Sequence, residues 1–449
     1  MNTESEALIA HLISEGEKLG ADEVEVYIEE AVLRGVVLER GTESFISSRT
    51  AGLGIRVIDK KRVGLSSTTS LDQHEAEETL RRAHSIAQTS QPDREWVSLA
   101  KNTGTRSVLG VFDPEVEGLS PDALSDTAQE MLRTVHGRNS GLIVTRGNVS
   151  TGIRTVMIAN NHSRSLERKE SFVSASVSVS AEEGSPRGTG SESTDSHAWR
   201  GLNISGACDV AAERALAAAR AGSMPAGAVP VVWRNKLFAS VLSIMFAGTL
   251  SAESVQRKRS PWAGRIGSRI ASDSFTLVDE GLMPGGLGTR MFDDEGIAQK
   301  RLPLIEEGIL KGFFYDTFAA NKEGVESTGN ASRSYDGRPH PAPNNLVLTP
   351  GRMRGADEII RETAHGLYLE EMIGAWLSNP VSGYLSATVA NGALIEKGEL
   401  TRPVKGILVS GNFFDILIGG VDQMGRDTDN AGSSYSPTVR VANMSVTPQ

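Results

Sequence analysis

Cysteine is almost absent from this chain of 449 residues, which has a single one at Cys208. A lone cysteine can form neither an intramolecular disulfide nor a cysteine metal cluster. Aromatic residues make up only 5% of the sequence. No stretch approaches the roughly 18 consecutive apolar residues that a membrane-spanning helix needs. The sequence therefore predicts neither a disulfide-stabilised secreted fold nor a membrane protein.

Positive charges are outnumbered by negative ones. The chain has 46 lysines and arginines and 56 acidic residues, which give a formal net charge of −10. Long basic runs are lacking too, so a nucleic-acid partner is not expected. The first residues, Met1-Asn2-Thr3-Glu4, offer neither the basic segment nor the apolar segment of a secretory signal, and secretion is not expected. These features favour a cytoplasmic protein.

Glycine, in contrast, is abundant, with 47 residues spread along the chain. A chain of this length usually exceeds what one hydrophobic core supports. The segment 221–227 consists of small residues and is interrupted by Pro225, which is typical of a boundary. The sequence therefore predicts an N-terminal domain at 1–222 and a C-terminal domain at 223–449.

Helical and strand patterns alternate twice in the first half of the chain. Apolar spacing predicts helices at 4–19, 71–88, 121–136 and 209–221. Alternation predicts strands at 24–37, 45–46, 54–58, 63–65, 142–145, 154–159 and 172–180. Asp59-Lys60-Lys61 is predicted to be the tight turn of a hairpin. The pattern indicates an α+β fold that begins with an α/β domain, with helices on a sheet rich in antiparallel strands.

The second half is predicted to be rich in β-structure. One strand at 230–233 precedes a helix at 236–250. Short strands separated by Gly, Asn and Asp turns are then predicted at 275–278, 309–315, 346–349, 387–389, 393–395, 407–410 and 437–441.

The densest group of glycines lies at 281–296, around Arg290 and the acidic run Asp293-Asp294-Glu295. Glycine at this density indicates backbone conformations or close approaches that other residues do not allow. The acidic run has the ligand chemistry of a cation site, but a structural turn paired with a residue such as Arg290 is the favoured interpretation.

Several runs in this order resemble the signature of the PmbA/TldD family, and they are closest to its PmbA (TldE) branch. They are Gly52-Leu53-Gly54-Ile55-Arg56-Val57, Pro284 to Gly296, Thr328-Gly329-Asn330 with Arg338-Pro339, and Gly411-Asn412. The resemblance extends over nearly the whole chain. It implies an N-terminal α/β domain, a β-rich C-terminal domain, and a role in intracellular proteolysis or peptide maturation.

The resemblance is broken at the zinc site of the family's catalytic TldD branch. There, a helix before the glycine-rich segment carries His-Glu-x-x-x-His, and a late cysteine completes the ligands. Aligning that helix with 236–258 places Ile244, Met245 and Thr249 at the His, Glu and His positions, and Met424 at the cysteine position. Such side chains do not form a zinc site. The resemblance therefore implies no catalytic residue and no metal cofactor in this chain.

The favoured function is a non-catalytic subunit of a heterodimeric TldD/TldE metallopeptidase, with zinc in a TldD-like paralogue and an unfolded or maturing peptide as substrate. The predicted substrate or partner surface consists of Gly285, Gly286, Gly288, Arg290, Asp293, Asp294, Thr328, Gly329, Asn330, Arg338 and His340. Two alternatives stay open. One is a stand-alone, homodimeric binding or modulator protein, in line with the family label "modulator of DNA gyrase". The other is a TldE-like subunit of a pair that processes a peptide- or amide-linked metabolite.

Other motifs carry weaker signals. The next histidine after the pair His74-Glu75 is His84, which is ten residues away. This spacing does not place the side chains on one face of a helix, so a solvent-exposed helix face is favoured over a metal site. Cys208 is expected to be a small buried residue. The glycines at 285–288 lack the lysine of a phosphate-binding loop. A relocated metal site built from His162, His197 and His340 stays open.

Overall fold

The computed structural model describes residues 3–181 and 187–449. Residues 1–2 and 182–186 lie outside the described residues. Both segments belong to the predicted N-terminal domain, and residues 1–2 also belong to the segment considered for a secretory signal. The helices are α1 (Thr3–Lys18), α2 (Gln73–Thr89), α3 (Pro114–Gly118), α4 (Pro121–Arg138), α5 (Ile204–Ala219), α6 (Asn235–Phe246), α7 (Ala252–Gln256), α8 (Thr317–Glu323), α9 (Ala356–Arg361) and α10 (Phe413–Asp415).

The strands of the first half are long, and those of the second half are mostly short. They are β1 (Glu23–Glu39), β2 (Thr42–Asp59), β3 (Arg62–Thr68), β4 (Leu142–Asn160), β5 (Ser163–Ala181), β6 (Gly188–Ser196), β7 (Gly227–Trp233), β8 (Leu277–Glu280), β9 (Arg301–Glu306), β10 (Ile309–Leu310), β11 (Ala331–Ser332), β12 (His340–Pro341), β13 (Leu346–Leu348), β14 (His365–Ile373), β15 (Tyr384–Glu396), β16 (Glu399–Val404), β17 (Ile407–Asn412), β18 (Val421–Met424), β19 (Asp429–Ala431), β20 (Ser434–Ser436) and β21 (Val439–Pro448).

The first half forms one antiparallel sheet in the order β3-β2-β1-β4-β5-β6. Side chains alternate between the two faces of a strand, and the even-numbered apolar residues of β1 face the helices. Val26 and Ile28 belong to the core under α1 and α2, whereas Val36 and Leu38 belong to the core under α4 and α5. Two helix pairs therefore cover two ends of one face of the sheet.

The predicted hairpin turn is confirmed. Asp59 pairs with Arg62 across a two-residue loop. Lys60 and Lys61 both adopt positive φ angles, 50° and 66°. Positive φ at both positions is the type I′ geometry that matches the twist of a β-hairpin.

The second half contains a closed ring of strands and a second sheet. Strands β14, β7, β21, β17 and β15 follow one another, and β15 pairs back onto β14. The second sheet has the order β10-β9-β8-β13-β20-β19. The largest core includes the buried aromatics Trp233, Phe246, Phe275 and Phe413. Burying each such side chain stabilises the fold by roughly 1.5–3 kcal/mol, so this core supplies much of the apolar stabilisation.

The helix predicted at 236–250, extended to 258 in the family alignment, is wrong in its second part. Helix α6 ends at Phe246, and the short α7 begins at Ala252. Between them, the amide of Phe314 donates to the carbonyl of Leu250, and the amide of Ala252 donates to the carbonyl of Phe314. This pairing with a distant segment takes the backbone groups that a continuous helix would use.

Several strand bounds also differ from the prediction. The segments predicted at 142–145 and 154–159 form the single strand β4, and β10 is shorter than the strand predicted at 309–315. The strands that were not predicted are β6, β9, β11, β12, β14, β16, β18, β19 and β20. The predicted α+β class with a β-rich second half is nevertheless confirmed, while the domain boundary at 222/223 stays a prediction. Among the described residues, none of the helices has the length and apolar character to cross a membrane.

Candidate functional site

The acidic run Asp293-Asp294-Glu295 is fully buried. Asp293 accepts hydrogen bonds from the amides of Glu295 and Ile297 with one oxygen, and from the amide of Ala331 with the other, each at 2.9 Å. Burial, together with the charge of Glu295, raises the pKa of Asp293 to about 7. This carboxyl group therefore joins its own turn to strand β11.

Asp294 connects the turn to the first sheet. Its carboxylate accepts hydrogen bonds from Arg168 Nη2 at 2.5 Å and from the Tyr27 hydroxyl at 3.0 Å. Arg290 Nη1 lies 3.3 Å away, and the amide of Arg333 donates at 3.0 Å. Burial opposes ionisation, but the cations Arg168 and Arg290 hold the pKa of Asp294 well below its usual range. The Arg290 contact agrees with the structural interpretation of the run.

A second network of buried ion pairs lies beside the network around Asp294. Arg56 Nη2 donates to Glu295 at 3.2 Å and to Glu25 at 2.9 Å. Arg333 Nη1 lies 2.8 Å from the other oxygen of Glu25. Burial opposes ionisation of Glu25, but Arg333 and Arg56 lower its pKa. Since Glu25 and Arg56 belong to β1 and β2, both ion-pair networks attach the glycine-rich region to the first sheet.

Two glycines of β2 allow this attachment. A Cβ atom on Gly52 would lie 2.2 Å from the ring of Tyr335, and one on Gly54 would lie 1.9 Å from the Tyr335 carbonyl oxygen. Real Cβ contacts are never so short, so the chain around Tyr335 can lie on the sheet only where side chains are absent. The run 52–57 is thus explained by close approach at its glycines and by charge at Arg56.

The predicted surface glycines differ in exposure. Gly285 is exposed, has a φ of 66°, and donates its amide to the carbonyl of Leu109 at 2.9 Å. Gly286 is buried, and its carbonyl contacts His197 Nε2 at 3.1 Å. Gly288 is also buried and donates to Asn345 Oδ1 at 2.8 Å. This loop is held by specific partners along its length.

The later predicted residues also divide into buried and exposed groups. Thr328, Gly329 and Asn330 are buried, whereas Arg338 and His340 are exposed. Asn330 Nδ2 donates to Asp279 at 2.6 Å, and burial raises the pKa of Asp279 to about 7. The buried members therefore support loops, and the role of the set as a binding surface stays a prediction.

The four positions aligned with zinc ligands lie in or against the largest core. Met245 is buried within it, and Ile244 and Met424 pack against it. The Thr249 hydroxyl donates to the carbonyl of Met245 at 2.6 Å and also faces Trp262 Nε1 at 3.3 Å. The donor set does not fit zinc. Within residues 3–181 and 187–449, no group of three His, Cys, Asp or Glu side chains could hold a metal ion.

A polar cleft of about 450 Å³ lies beside α6, within the size range of small-ligand pockets. It is lined by β5, β6, α5, α6, β14 and the turn after β19. Leu237 and Ser240 of α6 contribute to its wall. Ile244 follows Ser240 by one helical turn, so it lies on the same side of the helix. The cleft therefore borders the aligned zinc position.

Three cations converge on one carboxylate in this cleft. Glu192 accepts hydrogen bonds from Arg234 Nη1 at 2.5 Å and Lys236 Nζ at 2.7 Å, and Arg214 Nη1 lies 3.4 Å away. Burial alone would raise the pKa of Glu192, but Arg234 and Lys236 lower it to about 2. The arrangement is suited to polar recognition. Sequence reasoning missed it because its members come from separate elements and share no motif.

The remaining residues considered as metal ligands or nucleophiles either have structural partners or lie far from one another. His74 is exposed near the start of α2. His162 Nε2 contacts Glu23 at 2.7 Å, and both ring nitrogens of His197 face backbone carbonyl oxygens. Burial raises the pKa of Cys208 to about 12, which disfavours the thiolate. A relocated metal site at His162, His197 and His340 thus finds no support in the part of the chain that the structure describes.

Comparison with known proteins gives consistent matches. PmbA/TldA metallopeptidase domain 1 matches residues 24–87, the central domain of that family matches 114–219, and its C-terminal domain matches 226–448. Metalloprotease PmbA of Escherichia coli O157:H7 is 24% identical over 410 residues, which are 87% of this chain and 85% of that protein. The fold is similar to TldE from Thermococcus kodakarensis, with a TM-score of 0.91, 24% identity, and coverage of 98% and 99% of the two chains. It is also similar to a Thermotoga maritima protein described as a modulator of a DNA gyrase, with a TM-score of 0.90, 25% identity, and coverage of 98% and 100%.

Proposed function

Because the chain belongs to the PmbA/TldD family of metallopeptidases, we propose that it is the non-catalytic, TldE-type subunit of a two-chain metallopeptidase. The zinc and the glutamate that activates water would be supplied by a TldD-type paralogue. The observation that carries the proposal is the chemistry of α6 and β18. Ile244, Met245 and Met424 are packed with the core, and the hydroxyl of Thr249, just after α6, donates to the carbonyl of Met245.

In this proposal the polar cleft beside α6 contributes to the chamber that receives peptide. Its wall carries cations at Arg234 and Lys236 and carboxylates at Glu370 and Glu371, so both ends of a peptide and its polar groups find partners there. Such recognition tolerates varied side chains, as expected for unfolded or maturing peptides. A cytoplasmic location belongs to the same proposal.

An exposed apolar segment next to the cleft supports a protein partner. Ile373, Trp376, Leu377, Val381 and Tyr384 are all exposed, and Trp376 is 71% exposed. The segment 373–384 has no charged residue. Large aromatic and aliphatic side chains grouped in this way are typical of protein interfaces. The neighbouring Met372 lines the cleft, so a paralogue bound here would also border the cleft.

The proposal is tested by co-expression with the paralogue that carries His-Glu-x-x-x-His. We expect a one-to-one complex with one zinc ion per pair, and hydrolysis of an unfolded peptide only when both chains are present. Mass photometry, metal analysis and a peptide-cleavage assay measure these three properties. Changing the glutamate of the paralogue's motif to glutamine should abolish cleavage and keep the complex. Stoichiometric zinc and cleavage by this chain alone would contradict the proposal.

A pair of substitutions tests the contact surface. Trp376→Ser should weaken the complex at least tenfold, because a central aromatic anchor commonly contributes 2 kcal/mol or more, on the order of a thirtyfold change in affinity. Met353→Ser is the matched control, since Met353 is 82% exposed but lies outside the segment. Equal affinities for the two variants in a binding titration would count against segment 373–384 as the interface.

A further inference from the structure

A cavity of about 510 Å³ lies between the link that follows α2 and the region of α8. One wall is the link at 98–102, and the other walls come from segment 297–300 and from α8 with the loop that follows it. The cavity shares no lining residue with the cleft beside α6. Its volume is within the range of pockets that hold small ligands.

Direct contacts between the walls hold the cavity in shape. Asn321 Nδ2 of α8 donates to the carbonyl of Ser98 at 3.0 Å. The rings of Trp96 and Phe318, which belong to the same two segments, have centroids 6.1 Å apart. A cavity whose walls are already joined loses little conformational entropy when a ligand binds.

Three charged side chains line the cavity and have capacity for a further partner. Lys101 and Glu326 are exposed, and neither has a hydrogen-bond or ion-pair partner among the residues that the structure describes. Lys300 donates to the carbonyl of Ser327 at 3.1 Å. An ammonium group has three donors, so Lys300 can bind a second acceptor. The cavity thus offers two cations and one carboxylate.

Apolar side chains form much of the remaining lining. Leu99 and Ala320 are each only 1% exposed, and Ile297 is half-buried. Val325 is 48% exposed and also lines the cavity. Covering such a side chain with an apolar ligand group removes its surface from water and favours binding. The lining therefore matches a ligand with an apolar body and charges of both signs.

We propose that this cavity binds a short peptide with apolar side chains and two free ends. The terminal carboxylate pairs with Lys101 and Lys300, the terminal ammonium pairs with Glu326, and the apolar side chains pack against Leu99 and Val325. A single amino acid carries the same two charges but fills less of the volume. A cavity of this size suits a ligand of about two or three residues.

Titration calorimetry with the dipeptide leucyl-leucine and the full chain tests the ligand class. We expect one site per chain and weaker binding of free leucine. Acetylation of the amino group or amidation of the carboxylate should each weaken binding about tenfold, because each removes a charge-assisted contact. The absence of binding at millimolar dipeptide overturns the inference, as does equal affinity for the free and the doubly blocked dipeptide.

Substitutions at the charged residues assign the two ends of the ligand. Glu326→Gln should weaken binding of the free dipeptide about tenfold but leave the acetylated form unchanged, because that form has no ammonium group. The double variant Lys101→Gln with Lys300→Gln should weaken the free dipeptide similarly and leave the amidated form unchanged. Lys311→Gln is the matched control, since Lys311 is an exposed lysine outside the cavity.

The pattern across ligands separates direct recognition from a structural role. Circular dichroism checks that each variant is folded, and a variant that weakens all forms of the dipeptide alike counts against the inference. The inference does not rest on the proposed function, because α6 and segment 373–384 take no part in the cavity. Its failure leaves the proposed two-chain peptidase untouched, because that is judged by zinc content and cleavage.

Discussion

At the scale of single residues, the most characteristic run of the sequence supports structure rather than chemistry. Asp294 has at most 1% exposure and is surrounded by Arg168, Arg290, Tyr27 and the amide of Arg333. Removing two charges from water costs several kcal/mol per ion, and only good geometry with several hydrogen bonds offsets that cost. A buried carboxylate with this many partners is therefore sensitive to the loss of any one of them.

Asp294→Ala should destabilise the protein by about 3–5 kcal/mol, because it removes one of the two carboxylates that neutralise the buried Arg168 and leaves only Glu170. Urea denaturation followed by circular dichroism measures the change. Glu306→Ala is the control, since Glu306 and Lys311 form an exposed ion pair at 3.3 Å. Exposed pairs contribute about 0–1 kcal/mol. Similar losses for the two variants would show that the Asp294 network contributes little.

At the scale of elements, the glycines of β2 control how the segment around Tyr335 lies on the first sheet. Gly54→Ala should cost about 1–3 kcal/mol, because a methyl group there overlaps the Tyr335 carbonyl and the chain must shift. Proteolysis near Arg338 should also become faster. Gly104→Ala is the control, since a Cβ at Gly104 meets no atom within 4 Å. Unchanged stability and unchanged cleavage of Gly54→Ala would refute this close-packing account.

The sequence predicts elements well where periodicity is local, and less well where neighbours decide. The predicted helices at 4–19 and 71–88 correspond to α1 and α2, because their apolar spacing is regular. Strand β4 was predicted as two pieces, at 142–145 and 154–159, and Gly147 and Gly152 lie between these pieces. In the fold, Leu38 lies over Gly147 and the ring of Phe172 lies over Gly152. Side chains from adjacent strands thus fill the space, and the strand continues.

The same distinction holds for the candidate site. The motif at 52–57 contains Arg56, so the sequence pointed to this residue but not to its buried ion pair with Glu25. Arg333, which pairs with the same carboxylate, was not among the predicted residues. The cleft around Glu192 was missed, because cations from α5, from the link between β7 and α6, and from α6 meet only in the folded chain. A local sequence pattern can single out individual residues. Which side chains from distant elements meet in one site depends on the tertiary structure.

At the scale of the whole molecule, the first sheet and the second half share buried contacts in several places. Arg168 of β5 donates to the carbonyl of Phe292 at 2.9 Å, and Asn391 of β15 donates to the carbonyl of Thr189 at 3.0 Å. The cleft takes its charges from both halves. Charges buried at such contacts make the stability of the whole chain depend on pH through linkage.

Three buried carboxyl groups determine the direction of that dependence at neutral pH. Burial raises the pKa of Asp279 and Asp293 to about 7 and that of Asp316 to about 8, from a usual value of 3.8. Between pH 3.8 and about 7 to 8, the folded state therefore binds more protons than the unfolded state. The stabilisation that these three carboxyl groups contribute is complete below pH 3.8 and is lost as the pH rises through about 7 to 8. Glu192 acts in the opposite direction only in acid, because its pKa is lowered to about 2.

The melting temperature should therefore fall as the pH is raised from 5 to 8, with a loss of up to about 1.4 kcal/mol per pH unit for each group. Asp279→Asn should reduce this loss, because an amide stays neutral throughout this pH range. Asp126→Asn, on the exposed side of α4, should keep the full pH dependence. Scanning calorimetry at several pH values measures both variants, and identical slopes for Asp279→Asn and the unmodified chain would mean that Asp279 is ionised in the fold throughout this range.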